Sequence, residues 1–107
     1  MAKKTSKENV VTNEAYPEYD GIRVIDVQKG GEEWVVVLQS NSLSNLRMRG
    51  RSVVAQYMTS QAMHRPSIEA RSVPYPVDLD GNPITASTIP PGTKFEYRQE
   101  FSVTSLR

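Results

Sequence analysis

The chain has 107 residues and no cysteine, which bounds it to one domain with no disulfide framework and no thiolate metal site. Thirteen Lys and Arg stand against twelve Asp and Glu, a net charge of +1. That balance lacks the basic excess of a dedicated duplex binder, so a nucleic-acid role would have to rest on a local patch.

The charged start, Met1-Ala2-Lys3-Lys4-Thr5-Ser6-Lys7, leads into no apolar segment of the signal-peptide kind. No run approaches the roughly 20 apolar residues that cross a bilayer. The expectation is a protein not secreted by a signal peptide, located in a virion, or in the cytoplasm if cellular. Residues 1–20 are polar and mixed in charge, and read as an extended N-terminal arm ahead of a domain at 21–107. Within the arm, Tyr16, Pro17 and Tyr19 are candidates for protein contact, because tyrosine carries a large amphipathic area at low rotamer cost. The alternative is that they tuck onto the edge of their own domain.

From Gly21 the pattern turns to strands. Residues 21–28 form one, and Lys29-Gly30-Gly31-Glu32 is a hairpin turn, since paired glycines tolerate positive φ. Glu33-Trp34-Val35-Val36-Val37-Leu38-Gln39 is apolar at consecutive positions, as in a central strand covered on both sides. Ser40 to Asn45 has loop chemistry, because Ser and Asn side chains bond to nearby backbone. In Asn45-Leu46-Arg47-Met48-Arg49-Gly50-Arg51 the arginines recur every second residue. On a strand, that spacing places Arg47, Arg49 and Arg51 on one face. Gly50 then marks a bulge or a close backbone approach, and the strand continues to Met58.

Residues 59–66 have the makings of a short helical turn at most. Residues 68–72 form a further strand, and Val73 to Asp80 an extended edge strand, since Pro74 and Pro76 cannot donate to a ladder. Asp80-Gly81-Asn82 is a turn, 84–89 a short strand, and Pro90-Pro91-Gly92 a stop. The last strand alternates cleanly. Phe95, Tyr97, Gln99, Phe101 and Val103 lie on one face; Lys94, Glu96, Arg98, Glu100 and Ser102 lie on the other. Seven strand-like runs with no long helix predict an all-β fold: a single antiparallel β-sandwich, immunoglobulin-like in plan. A small barrel is the alternative.

No pattern of reactive residues emerges. Asp78-Leu79-Asp80-Gly81-Asn82 resembles a calcium loop, but the glycine comes too early and Ile89 occupies the closing position, so the reading is a turn. His64 is the only histidine, and no serine sits in a nucleophile motif. Gly30-Gly31 lacks phosphate-loop spacing. The expectation is no catalytic residue, no metal and no cofactor. Arg47, Arg49 and Arg51 have three readings: a solvated face paired with acids of the same chain, a protein-docking stripe, or a single-stranded nucleic-acid platform. The last calls for aromatics beside the basic residues, and only Tyr57 is near.

The segment from Val35 to Ser42, followed by Val53-Val54-Ala55-Gln56-Tyr57-Met58, resembles the strand–turn–strand pattern of immunoglobulin-like accessory domains. Examples are the C-terminal sandwich domains of transglutaminases and the intracellular proteinase inhibitors of bacilli. Ile89-Pro90-Pro91-Gly92 is similar to the turn before their final strand. In overall build the chain also resembles small structural proteins of tailed bacteriophages. That likeness implies a non-enzymatic virion component, such as a capsid decoration or cement subunit or a neck or tail subunit. Its partners would be major capsid, neck or tail proteins or a second copy, with no membrane and no nucleic acid. A cytoplasmic binding module, acting through loop 40–45 or 59–66, is the second reading.

Overall fold

The computed structural model describes residues 16–85 and 87–105. Six strands and one helix follow in the order β1 (Glu18–Tyr19), β2 (Ile22–Lys29), β3 (Glu33–Ser40), α1 (Leu43–Ser60), β4 (Pro66–Ala70), β5 (Tyr75–Asp78) and β6 (Phe95–Ser105). All pairings are antiparallel, and the sheet runs β1-β2-β3-β6-β4, with β5 also paired to β6.

This overturns the all-β, immunoglobulin-like sandwich of seven strands. The fold is α+β: one open six-stranded sheet with an 18-residue helix packed on it, and no second sheet among the described residues. The cause is one segment. Residues 43–60, expected as loop and strand, are α1. Its buried positions are Leu46, Gly50, Val53, Val54, Tyr57 and Met58. They recur at intervals of three and four, the period of a helix with one apolar face. Ser42 caps the start: its Oγ accepts from the Asn45 amide at 3.1 Å. At the other end the Gln61 amide donates to the Tyr57 and Met58 carbonyls.

Gly50 is where helix and sheet touch most closely. A Cβ there would lie 3.2 Å from Phe101 Cζ and 3.6 Å from Leu46 Cδ1. The close-approach reading of this glycine holds, though on a helix; the bulge does not.

The sheet itself follows the sequence more closely. At the β2–β3 turn the Gly30 amide donates to the Glu33 carbonyl at 2.8 Å. A Cβ on Gly30 would sit 2.6 Å from that oxygen, so the turn requires glycine. Strand β3 is central, between β2 and β6. Strands β4 and β5 are two parts of one interrupted edge. Pro66–Ala70 pairs with the end of β6 and Tyr75–Asp78 with its start. In between, Ser72 Oγ accepts from the Glu100 amide and the Ser72 carbonyl accepts from Gln99 Nε2. The strand expected at 84–89 is absent among the described residues of that stretch. Pro83 makes a single bridge with Val77, the Ile84 amide donates to the Pro76 carbonyl, and Ala86 lies outside the described residues.

Residues 1–15 of the expected arm also lie outside the described residues. Tyr16 to Asp20 belong to the sheet margin: β1 pairs with β2, and the Pro17 carbonyl accepts from the Val24 amide. Asp20 and Gly21 both have positive φ, 54° and 82°, as a type I′ hairpin turn requires.

The core lies between α1 and one face of the sheet. It joins Ile22 and Val24 of β2, Val36 and Leu38 of β3, and Phe101 and Val103 of β6 to the apolar side of α1. No described helix is long and apolar enough to cross a membrane.

Candidate functional site

Because α1 covers one face of the sheet, the opposite face is lined by the alternate residues of β2, β3 and β6. Its centre is a shallow groove of about 350 Å³, lined by Ile25, Asp26, Gln28, Val35, Val37, Arg71, Tyr75, Arg98 and Glu100. A register slip between Val24 and Asp26 brings both Ile25 and Asp26 to this side. The groove's lining is mainly polar: Val37 is buried, Ile25 and Val35 are half-buried, and Asp26 and Glu100 stand against Arg71 and Arg98.

The rim is held by hydrogen bonds. Arg98 donates through Nε and Nη2 to Gln39 Oε1, at 3.1 and 2.8 Å, and through Nη1 to the Gly81 carbonyl. Gln39 Nε2 donates in turn to Glu96, which also pairs with Arg23. Tyr75 Oη donates to Glu100 Oε2 at 2.9 Å. Burial, and after it the Glu100 carboxylate that accepts its hydrogen bond, raise the Tyr75 pKa above the usual tyrosine value. At the far end of β3 the Ser102 hydroxyl donates to Glu33. A fork of this kind fixes Arg98 in a planar orientation that a lysine would not hold.

The candidate residues from the sequence lie elsewhere. Tyr16, Pro17 and Tyr19 flank a second depression, of about 550 Å³, between the β1–β2 margin and the end of α1. Tyr16 and Tyr19 pack against the core, and Tyr16 meets Tyr57 edge to face with centroids 6.5 Å apart. Burial, then the neighbouring Tyr16 and Tyr19, raise the Tyr57 pKa. The three residues thus tuck onto their own domain edge.

Arg47, Arg49 and Arg51 are all exposed, but on α1, so they form no strand stripe. At about 100° per residue, Arg47 and Arg51 share one side of the helix and Arg49 points to another. Arg49 pairs with Asp20 at 3.9 Å, and Arg51 Nη1 donates to the Ile68 carbonyl at 2.8 Å. Arg47 makes no ion pair or side-chain hydrogen bond among the described residues. Segments 40–45 and 59–66, read as candidate binding loops, prove to hold the two ends of α1. Asp78 Oδ1 accepts from the Asp80 and Asn82 amides, so the calcium-like sequence is a turn closed by its own aspartate. Among the described residues no three His, Asp or Glu stand close enough to hold a metal ion.

The groove residues were not singled out from the sequence, although part of their signal was there. Alternation in β6 put Glu96, Arg98, Glu100 and Ser102 on one face, and Val35 and Val37 made β3 apolar on both sides. What could not be read was that the second face has no covering helix among the described residues. No protein-family model matches the chain, and no curated protein or solved structure does either.

Proposed function

We propose that this chain is a non-enzymatic assembly protein that docks neighbouring protein subunits through the helix-free face of its sheet. The observation that supports this reading is the one-sided covering of the sheet. Ile25 and Val35 are half-buried on that face, and Tyr75, Arg98, Gln39 and Glu100 beside them are already held in place by hydrogen bonds. A preset, mainly polar surface with half-buried apolar residues in it suits protein contact, since little ordering is left to be done on binding. The setting we propose is a virion of a tailed bacteriophage, as a decoration, neck or tail subunit. With the sandwich overturned, that setting is supported by the short chain, the missing cysteine and the near-neutral charge alone.

A photocrosslinking residue at Ser102, on this face, tests the reading in the cells or particles that make the protein. Crosslinks to a protein subunit of defined mass are the expected result. Labelling of no protein, with the same probe at Ser52 on the helix as reference, overturns it.

A further inference from the structure

Strand β2 has a neighbour on its outer side for only part of its length. Glu18 and Tyr19 pair with Arg23 and Ile22, and the Pro17 carbonyl accepts from the Val24 amide. The ladder stops there, because proline has no amide to return. From Ile25 to Lys29 no described strand lies outside β2. On its inner side the same stretch is regular: Asp26, Val27, Gln28 and Lys29 stand opposite Val37, Val36, Val35 and Trp34. The Gly30 amide donates to the Glu33 carbonyl across the turn. By alternation Gln28 and Asp26 bond to β3, while Val27 and Lys29 turn their amides and carbonyls outward. No described residue bonds to those outward groups.

Two depressions flank this open edge. On the helix side is the depression of about 550 Å³ at Tyr16, Tyr19 and Tyr57, which Val27 and Lys29 also line. Beyond Tyr16, towards the helix-free side, is one of about 320 Å³ that takes in Arg23 and Ile25. Side chains of a strand alternate between faces, so a strand laid along β2 would enter both. Tyr57 is 5 % exposed, yet its hydroxyl has no hydrogen-bond partner among the described residues. Buried polar groups are as a rule bonded. Among the described residues that line the larger depression, Lys29 alone is charged. Its ammonium lies 5.0 Å from the centroid of the Trp34 ring, a contact that neither neutralises its charge nor takes up its N–H donors.

We infer that the open edge of β2, from Ile25 to Lys29, is a docking site for an extended acidic segment of a partner protein, added to the sheet as a further strand. The backbone of that segment completes the bonds that Val27 and Lys29 turn outward. Its side chain opposite Val27 enters the tyrosine-lined depression. An acidic side chain two residues along, on the same face, reaches Lys29 and the tyrosine hydroxyls. Charge selects this occupant, since the depression offers a cation and hydroxyl donors and no acid. A lysine on an open edge also discourages indiscriminate pairing, and an acidic strand is the kind it admits. The edge is a different surface from the helix-free face, so the two docking readings stand or fall separately.

The peptide acetyl-Thr-Glu-Thr-Val-Thr-Glu-Thr-amide, which reads alike in both directions, tests this on the full chain. Calorimetry gives its affinity, and hydrogen exchange at the Val27 and Lys29 amides gives its place. Binding with slower exchange at both amides is the expected result. Glutamine in place of the peptide's glutamates should weaken binding roughly two- to fivefold, the range of exposed ion pairs. N-methylation of its valine and glutamates should abolish binding, because those amides face β2. Lys29→Glu, at an exposed position, should transfer the preference to the same peptide with lysine in place of glutamate, with the far-UV circular dichroism unchanged. Unaltered exchange at Val27 and Lys29 in the presence of the peptide overturns the inference. So does binding that is indifferent to N-methylation, or equal for the acidic, amide and lysine peptides. Protection of the same amides on concentrating the chain alone would give the edge to a second copy, and also overturns it.

Discussion

Gly50 sets how far α1 can descend onto the sheet. Its missing Cβ leaves room for the edge of the Phe101 ring, and Phe101 is itself only 3 % exposed. Two effects oppose each other at this position. A glycine inside a helix costs about 1 kcal/mol relative to alanine, while added carbon atoms press on a ring that has nowhere to go. For a β-branched side chain the second effect prevails. Gly50→Val should destabilise the fold by about 1–3 kcal/mol, the usual range for overpacking, measured as a lower urea midpoint at unchanged slope. Combined with Phe101→Leu, the two losses should sum to less than their separate values, because the smaller side chain yields the space that valine needs. Strict additivity would mean that the glycine is there for another reason.

At the scale of elements, α1 and the strands were unequally legible. Strands β2, β3 and β6 could be read because each is bounded by turn residues and the alternation in β6 has no rival. The helix escaped because Arg47, Arg49 and Arg51 also satisfy the period of a strand, and Gly50 lowers helix propensity in the middle of the run. Its apolar set, Leu46, Val53, Val54, Tyr57 and Met58, is helical in spacing, and the start signal was present in Ser42. Asp20-Gly21 is another visible signal: it makes the β1–β2 hairpin turn, at the place where the polar N-terminal segment reads as the border of an arm. The open sheet face follows from no local pattern. Whether a strand face is covered depends on how many layers the chain builds, and one helix at 43–60 in place of a loop and a strand changes that number. The cap can be tested alone. Ser42→Ala removes the acceptor for the Asn45 amide and should cost about 1 kcal/mol, whereas Ser42→Asp keeps the acceptor and adds the charge that a helix start favours. Denaturation should rank the aspartate variant at or above wild type and the alanine variant below. Equal loss in both would place the role of Ser42 in packing.

For the whole molecule, β6 is the strand on which assembly of the fold depends. It pairs with β3 on one side and with both β4 and β5 on the other, and it follows all of them in the chain. The β2–β3 hairpin and α1 are local and can form early, but neither has a complete apolar partner until Phe101 and Val103 arrive from the far end of the sequence. Joining β6 to β3, at Val36 opposite Phe101, therefore closes a long loop before its contacts repay the entropy. Strands β1 and β5 attach only to strands already in place. Folding should thus be limited by the arrival of β6. Phe101→Leu is expected to act mainly by slowing folding, and Val77→Ala, in the edge strand β5, mainly by speeding unfolding. Stopped-flow chevrons decide this, provided each change exceeds about 0.6 kcal/mol, below which the partition loses meaning. If Val77→Ala slows folding as much as Phe101→Leu does, the interrupted edge forms together with the centre, and β6 brings its outer neighbours with it in a single step.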